Sequence, residues 1–365
     1  MTTAAPEQHS GPTFIRSDLI LLGVGGLAVL LAGLSHYLDW GDAVSFLLSA
    51  VAVTVLASLV GRSVDQLGDR FGPGATGVLQ SALGNLPELF ISLFALKAGL
   101  VDVVQAALIG SILANLLLVM GIAFVAGGVR HGSQVIDSAR ARSISVMLLV
   151  SVVAMVFPSI TKLVHTPAAG HETALSTIAS AVLIVLFILT LPASLKRQGE
   201  AQEKPAHEAE APRWPVSVAV GMLALAGLLS AFVSDWFVDA LQPAMDSWGI
   251  SDAFAGLVIV AIAGNAIENV VGVQLALKNQ SDYAFQLIIN SPLQIALVLA
   301  PVLVILSNIL GFTALTLVFS PMLVLAVFLA VLIAVVITVD GESNWMEGAA
   351  LIGVYIVVAA SFWWG

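Results

Sequence analysis

Long apolar stretches separated by short polar connections fill almost the whole chain. A helix needs about 20 apolar residues to cross a ~30 Å hydrocarbon layer. Eleven stretches approach that length: about 18–36, 43–61, 73–97, 101–127, 142–160, 172–194, 214–236, 251–277, 283–309, 314–338 and 345–363. The pattern predicts an all-α polytopic membrane protein with 11 transmembrane helices. The break at 196–213 (KRQGEAQEKPAHEAEAPR) is polar, mixed in charge and rich in Pro, Ala and Glu, the composition of an unstructured cytosolic linker.

A repeat sits inside this pattern. Residues 84–88 read Gly84-Asn85-Leu86-Pro87-Glu88, and residues 264–268 read Gly264-Asn265-Ala266-Ile267-Glu268. Gly84–Ser111 overlays Gly264–Ser291 at an offset of 180, with a one-residue wobble near Lys97 and Lys278. After each motif come Ala-Leu-Lys, a short connection with an Asp (Asp102, Asp282), and a second apolar helix. That helix carries Ser111 and Asn115 in the first half, Ser291 and Gln294 in the second. The expected organisation is a cytosolic tail (1–17), helix 1 with its loop (18–42), a first five-helix repeat (43–195), the linker (196–213) and a second five-helix repeat (214–365). With this helix count the two motif helices run in opposite directions, giving an inverted repeat. Secondary transporters use that architecture, with the site at the midplane between the halves.

Composition agrees. The chain is 59% hydrophobic and 10% charged, against about 25% charged in soluble domains, and its mean hydropathy is +1.03. The net charge of −10 resides in tails and loops. No basic patch exists to neutralise phosphates, which excludes nucleic acid as a partner. With no cysteine, disulfides and thiolate chemistry are excluded. The N-terminus is polar through about Asp18 without a basic n-region, so the first apolar stretch reads as a retained helix. On eleven spans, the side of the N-terminus collects Arg16, Arg62, Arg70, Arg130, Arg140, Arg142, Lys196, Arg197, Lys204, Arg213 and Lys278, and the other side Lys97 and Lys162. This bias puts the N-terminus in the cytoplasm and the C-terminus outside. Trp40, Trp236, Trp248, Trp345, Trp363 and Trp364 fall at or near span ends, as an aromatic belt does.

A carboxylate at bilayer depth costs roughly 2.5–3.5 kcal/mol on insertion scales, so Glu88 and Glu268 are functional-site candidates. Asn85 shares a helix face with Glu88, and Asn265 with Glu268, each three residues apart. Ser111 with Asn115, and Ser291 with Gln294, add a polar face on the following helices. Four faces of hard oxygen donors suit Ca²⁺, which takes six to eight oxygens at about 2.3–2.6 Å. Pro87 has no N–H and frees a carbonyl one turn earlier, which is tolerated in a membrane where it lines a polar cavity. Without the cation, two nearby carboxylates in a low-dielectric site repel and take up protons. Ca²⁺ and H⁺ then compete for the same groups. If only neutralised forms switch sides, exchange is coupled.

These residues resemble a family. Gly84–Gly121 (GNLPELFISLFALKAGLVDVVQAALIGSILANLLLVMG) is similar to the first signature repeat of the Ca²⁺/H⁺ antiporters, the cation/proton exchanger branch of the calcium/cation antiporter superfamily. Gly264–Pro301 (GNAIENVVGVQLALKNQSDYAFQLIINSPLQIALVLAP) is similar to the second, and GRSVDQLGDRFGP (Gly61–Pro73) to the stretch before the first. The resemblance implies Glu88 and Glu268 as ion-binding acids, with Asn85, Asn265, Ser111, Ser291 and Gln294 in support. Pro87 before Glu88 is closer to the Na⁺/Ca²⁺ exchanger pattern, and Asn269 stands where eukaryotic members often have His. Na⁺ coupling is therefore the alternative.

The rival classes fare worse. A metalloprotease would need HExxH, which the chain lacks, and no histidine lies mid-helix to serve a serine nucleophile. A two-carboxylate constriction would also suit a cation channel, but a discrete site between matched halves favours a carrier. No enzyme activity and no cofactor are expected; the ions are cargo, and the lipid bilayer is the surrounding partner. Short loops and tails suggest a prokaryotic inner (plasma) membrane, with a vacuolar membrane as the other setting.

Overall fold

With no water in a hydrocarbon layer, backbone N–H and C=O groups must pair within the protein, and a helix does this locally. The computed structural model describes residues 13–71, 83–201, 213–338 and 340–364, without the side chains of 69–71, 191–201, 266–268 and 338. Its helices are α1 (Arg16–Tyr37), α2 (Asp42–Phe71), α3 (Leu86–Lys97), α4 (Val101–His131), α5 (Ser138–Leu163), α6 (Glu172–Ala201), α7 (Val216–Trp248), α8 (Asp252–Gly264), α9 (Ala266–Leu277), α10 (Ser281–Ile309), α11 (Pro321–Thr338) and α12 (Trp345–Ser361). Two short strands, β1 (Gln134–Val135) and β2 (Glu342–Ser343), pair antiparallel.

Among the described residues, seven helices are long and apolar enough to cross a membrane: α1, α2, α4, α5, α6, α7 and α10. α8 and α9 make an eighth span if taken together, bent by 61°. α11 and α12 are apolar but shorter. Of the expected stretch 73–97, residues 73–82 lie outside the described residues, and the helix in the rest is α3. Most of the linker, 202–212, also lies outside them.

Several expected boundaries shift. α6 continues past residue 194 to Ala201, so the first residues of the expected linker are helical, and α7 continues past residue 236 to Trp248. α2 continues past residue 61 to Phe71, so Asp65 is an exposed helical residue rather than a loop residue. The extra turns are held from the side. Gln66 Oε1 accepts from the backbone N–H groups of Arg213 (2.8 Å) and Trp214 (3.0 Å), and buried Asp18 pairs with Arg62 at 3.0 Å. The tenth stretch is helical only from Pro321. Residues 314–320 are not helical, and burial alternates along Leu315-Thr316-Leu317-Val318-Phe319. Pro321 biases Ser320 away from helix, and the period of two is that of a strand. Its backbone is satisfied by side chains. Leu315, Leu317 and Phe319 N–H groups donate to the hydroxyls of Ser307 (3.0 Å), Ser176 (2.9 Å) and Ser159 (2.9 Å). Gln105 Nε2 donates to the carbonyls of Thr316 (2.9 Å) and Val318 (3.1 Å).

Contacts sort the helix ends into two faces. On one, Asp18, Arg62 and Trp214 meet, β1 pairs with β2, and Asp137 N–H donates to Asp282. On the other, Lys97 pairs with Asp235, Phe46 packs on Trp248, and Ser251 Oγ donates to Phe362 O.

Backbone features recur at an offset of 180. α3 spans Leu86–Lys97 and α9 spans Ala266–Leu277. The turns after them hold positive φ at Gly99 and Asn279, and α4 and α10 begin at Val101 and Ser281. π-helical turns follow in both, at Ala114–Val119 and, starting one residue later in register, at Ile295–Leu299. The backbone register needs none of the wobble that the residue identities suggest near Lys97.

Candidate functional site

Both motif asparagines sit at helix breaks. Asn85 is the N-cap of α3, with φ −91° and ψ 17°, and Asn265 separates α8 from α9, with φ −106° and ψ 22°. Pro87 lies in the first turn of α3, where its missing N–H leaves no helical bond unmade. Glu88 follows within that turn and is 1% exposed.

Close helix crossings bring the halves together. A Cβ on Gly110 of α4 would stand 2.3 Å from the carbonyl oxygen of Leu257, and one on Gly256 would stand 2.3 Å from that of Val103. Only glycine fits at these crossings of α4 with the π-helical turn Ala255–Val260 of α8. Gly264 lies against Glu88: an added Cβ would touch Glu88 Cγ at 3.4 Å.

The polar side chains then form one buried network. Ser111 Oγ donates to Glu88 Oε1 at 2.5 Å and accepts from Asn265 Nδ2 at 2.9 Å. Asn265 Oδ1 accepts from Ser291 Oγ at 3.0 Å and from Asn115 Nδ2 at 3.1 Å. Asn115 Nδ2 also bonds its own helix at Ser111 O, 2.9 Å away, and lies 3.4 Å from Ser291 Oγ. An amide has two hydrogens for these three acceptors, so Asn115 must divide them. Asn115 Oδ1 is buried and accepts no hydrogen bond among the described residues. All five residues are at most 4% exposed.

Of the eight residues singled out by sequence, five are joined in this way: Glu88, Ser111, Asn115, Asn265 and Ser291. Asn85 and Gln294 are half-buried, and among the described residues no hydrogen bond links either to the network. Gln294 immediately precedes the π-helical turn of α10, which re-aims side chains around it. The side chain of Glu268 lies outside the described residues; its backbone belongs to α9. Sequence reasoning missed Gly110 and Gly256, whose roles depend on a crossing that no local pattern encodes. It also missed Gln105, whose signal was a lone amide in an apolar run six residues before Ser111.

Broken and π-distorted helices converging on a buried polar cluster with a carboxylate form the architecture of a secondary ion transporter. The chain belongs to the sodium/calcium exchanger protein family, whose model matches residues 42–196 and 218–364. It is 37% identical over 354 residues to the Ca²⁺/H⁺ antiporter ChaA of Bacillus subtilis (strain 168), covering 95% of this chain and 99% of that protein. To the Ca²⁺/H⁺ antiporter of Aphanothece halophytica it is 36% identical over 347 residues, covering 90% and 92%. The structure of native YfkE matches with a TM-score of 0.80 at 34% identity, over 94% of this chain and 99% of that one. The H⁺/Ca²⁺ exchanger CAX matches with a TM-score of 0.73 at 17% identity, over 95% and 92%, which concerns the fold alone.

Proposed function

We propose that this protein is a Ca²⁺/H⁺ antiporter working by alternating access, with Glu88 and Glu268 as the acids that take Ca²⁺ or protons in competition. One observation carries the reading: buried hydrogen bonds join Ser111 and Asn115 of the first motif region to Asn265 and Ser291 of the second. The full-length relatives named for Ca²⁺/H⁺ exchange support the same ions.

The chemistry follows from what the oxygens are doing. In the network, Asn265 Oδ1 and Glu88 Oε1 are occupied by N–H and O–H donors. A cation requires those lone pairs, so its arrival must rotate Ser111, Ser291 and Asn115 to present oxygen instead. Glu88, Glu268, Ser111, Ser291, Asn115 and Asn265 can together approach the six to eight oxygens that Ca²⁺ takes, and Asn85 and Gln294 flank them. When Ca²⁺ leaves, protons replace its charge and the hydrogen bonds between halves re-form. Both cargo states are thereby compact and compensated, and the bare dianion is not. The recurrence of helix bounds at an offset of 180 supports two halves, and eleven spans would set them in opposite directions. Arg62, Arg130, Arg140, Arg213 and Lys278 share the face of the N-terminal end of α1, which supports a cytoplasmic N-terminus and an external C-terminus.

The test is Ca²⁺ uptake into proteoliposomes under a pH gradient, with and without a Na⁺ gradient, on the wild type and Glu88→Gln. Uptake driven by pH alone and lost in the variant is the expected result. Uptake driven only by Na⁺ would favour Na⁺/Ca²⁺ exchange, the reading to which Pro87 points. Uptake unaffected by the substitution would remove Glu88 from the site.

A further inference from the structure

A cavity of about 470 Å³ lies between the ends of α4 and α9, lined by Arg130, His131, Gln274, Leu277 and Lys278. Three of these five residues are basic and none is acidic. Basic residues at a helix C-terminus usually serve its unpaired carbonyls. At the end of α9, two carbonyls are served by His131 and Gln134 rather than by Lys278. His131 Nε2 meets Leu277 O at 2.9 Å, and Gln134 Nε2 donates to Ala276 O at 3.5 Å. The carboxylates of the neighbouring loops are engaged elsewhere: Asp282 with Arg140, Gln286 and the Asp137 N–H, and Glu342 with Ser133. Among the described residues, Arg130 and Lys278 form no ion pair. Two uncompensated cations thus face one cavity at the rim of the bundle, beside an apolar residue, Leu277, and next to exposed Val129.

We propose that this cavity binds the phosphate of an anionic lipid headgroup, with Arg130 and Lys278 supplying the charge and Gln274 a neutral hydrogen-bond donor. An anion set between basic side chains of two helices at the cytosolic boundary is a recurrent mode of lipid recognition. The headgroup would bridge α4, which carries Ser111 and Asn115, to α9, which follows Asn265, and so hold the two halves of the polar network in register. The inference rests on the transporter reading and on the cytosolic placement of this face.

The experiment compares Ca²⁺ uptake by the full chain in neutral phosphatidylcholine vesicles, in vesicles with added phosphatidylglycerol, and in neutral vesicles with inorganic phosphate. Phosphatidylglycerol should stimulate the wild type. Arg130→Gln and Lys278→Gln should keep the rate in neutral vesicles while each raises the half-stimulating lipid fraction about fivefold. Arg142→Gln, an exposed charge outside the cavity, should leave the response intact. An unchanged response in the cavity variants, or an equal loss in Arg142→Gln, overturns the site. Stimulation by inorganic phosphate in neutral vesicles overturns the lipid as its source. Should the wild type transport no Ca²⁺ at all, the antiporter reading fails. The lipid site then stands or falls on whether native mass spectrometry finds phosphatidylglycerol retained by the wild type and lost from the Arg130→Gln, Lys278→Gln double variant.

Discussion

Glu88 is held by its neighbours rather than by its own helix: Ser111 donates to it and Gly264 packs on it. Glu88→Gln removes the charge and keeps the volume. The folded protein should persist by size exclusion while Ca²⁺ exchange is abolished. Asn265 is the hub of the network, and Asn265→Ala removes the acceptor of the Ser291 hydroxyl and one of the acceptors of Asn115. Loss of a group that supports a metal site typically costs about 10–100-fold in affinity, so the apparent KM for Ca²⁺ should rise about tenfold or more. Asn85→Ala and Gln294→Ala should raise it less, because neither is tied into the network; an equal rise in the same uptake assay would place them at the ion.

Helices and the non-helical segment 314–320 decide where these side chains meet. Overpacking a tight core typically costs about 1–3 kcal/mol, and Gly110→Val forces a side chain onto the backbone of Leu257. That variant should unfold at lower temperature and lose exchange even though Ser111 and Glu88 are unchanged. Ser159 serves the extended segment twice, accepting from Phe319 N–H and donating to Leu317 O. Ser159→Ala orphans a buried N–H and should cost about 1–3 kcal/mol in a thermal unfolding series. Ser361→Ala, whose hydroxyl bonds only its own helix, is the neutral control.

For the molecule as a whole, sidedness is the property with consequences. The chain has no cysteine, so single cysteines report topology without background. Ser133→Cys, beside β1, should label only from the cytosolic side with an impermeant maleimide, and His171→Cys, before α6, only from outside. Labelling of both from one side would overturn the orientation. Asp18 ties the whole together at one face: it pairs with Arg62, lies 3.9 Å from Arg213 and accepts from Trp214 Nε1. Breaking a fully buried pair costs ~3–5 kcal/mol. Arg62 is partly exposed, so Asp18→Ala should cost less, about 2 kcal/mol, read as a fall in melting temperature.

The sequence by itself determined that this chain is a bundle of apolar helices that carries one motif twice, because hydrophobic length and the cost of a buried carboxylate are local, additive properties. It also named Glu88, Ser111, Asn115, Asn265 and Ser291, since a polar residue deep in an apolar run is legible without a partner. It did not reveal the strand-like segment, although Leu315-Thr316-Leu317-Val318-Phe319 carries the alternation; hydropathy averaged over a helix-length window conceals a period of two. Nor did it tell Asn85 and Gln294 apart from the networked residues, because all share the same composition and spacing. Tertiary structure decided those matters. Which oxygens meet depends on the Gly110 and Gly256 crossings and on π-helical turns that rotate side chains, and these arise only when distant helices pack.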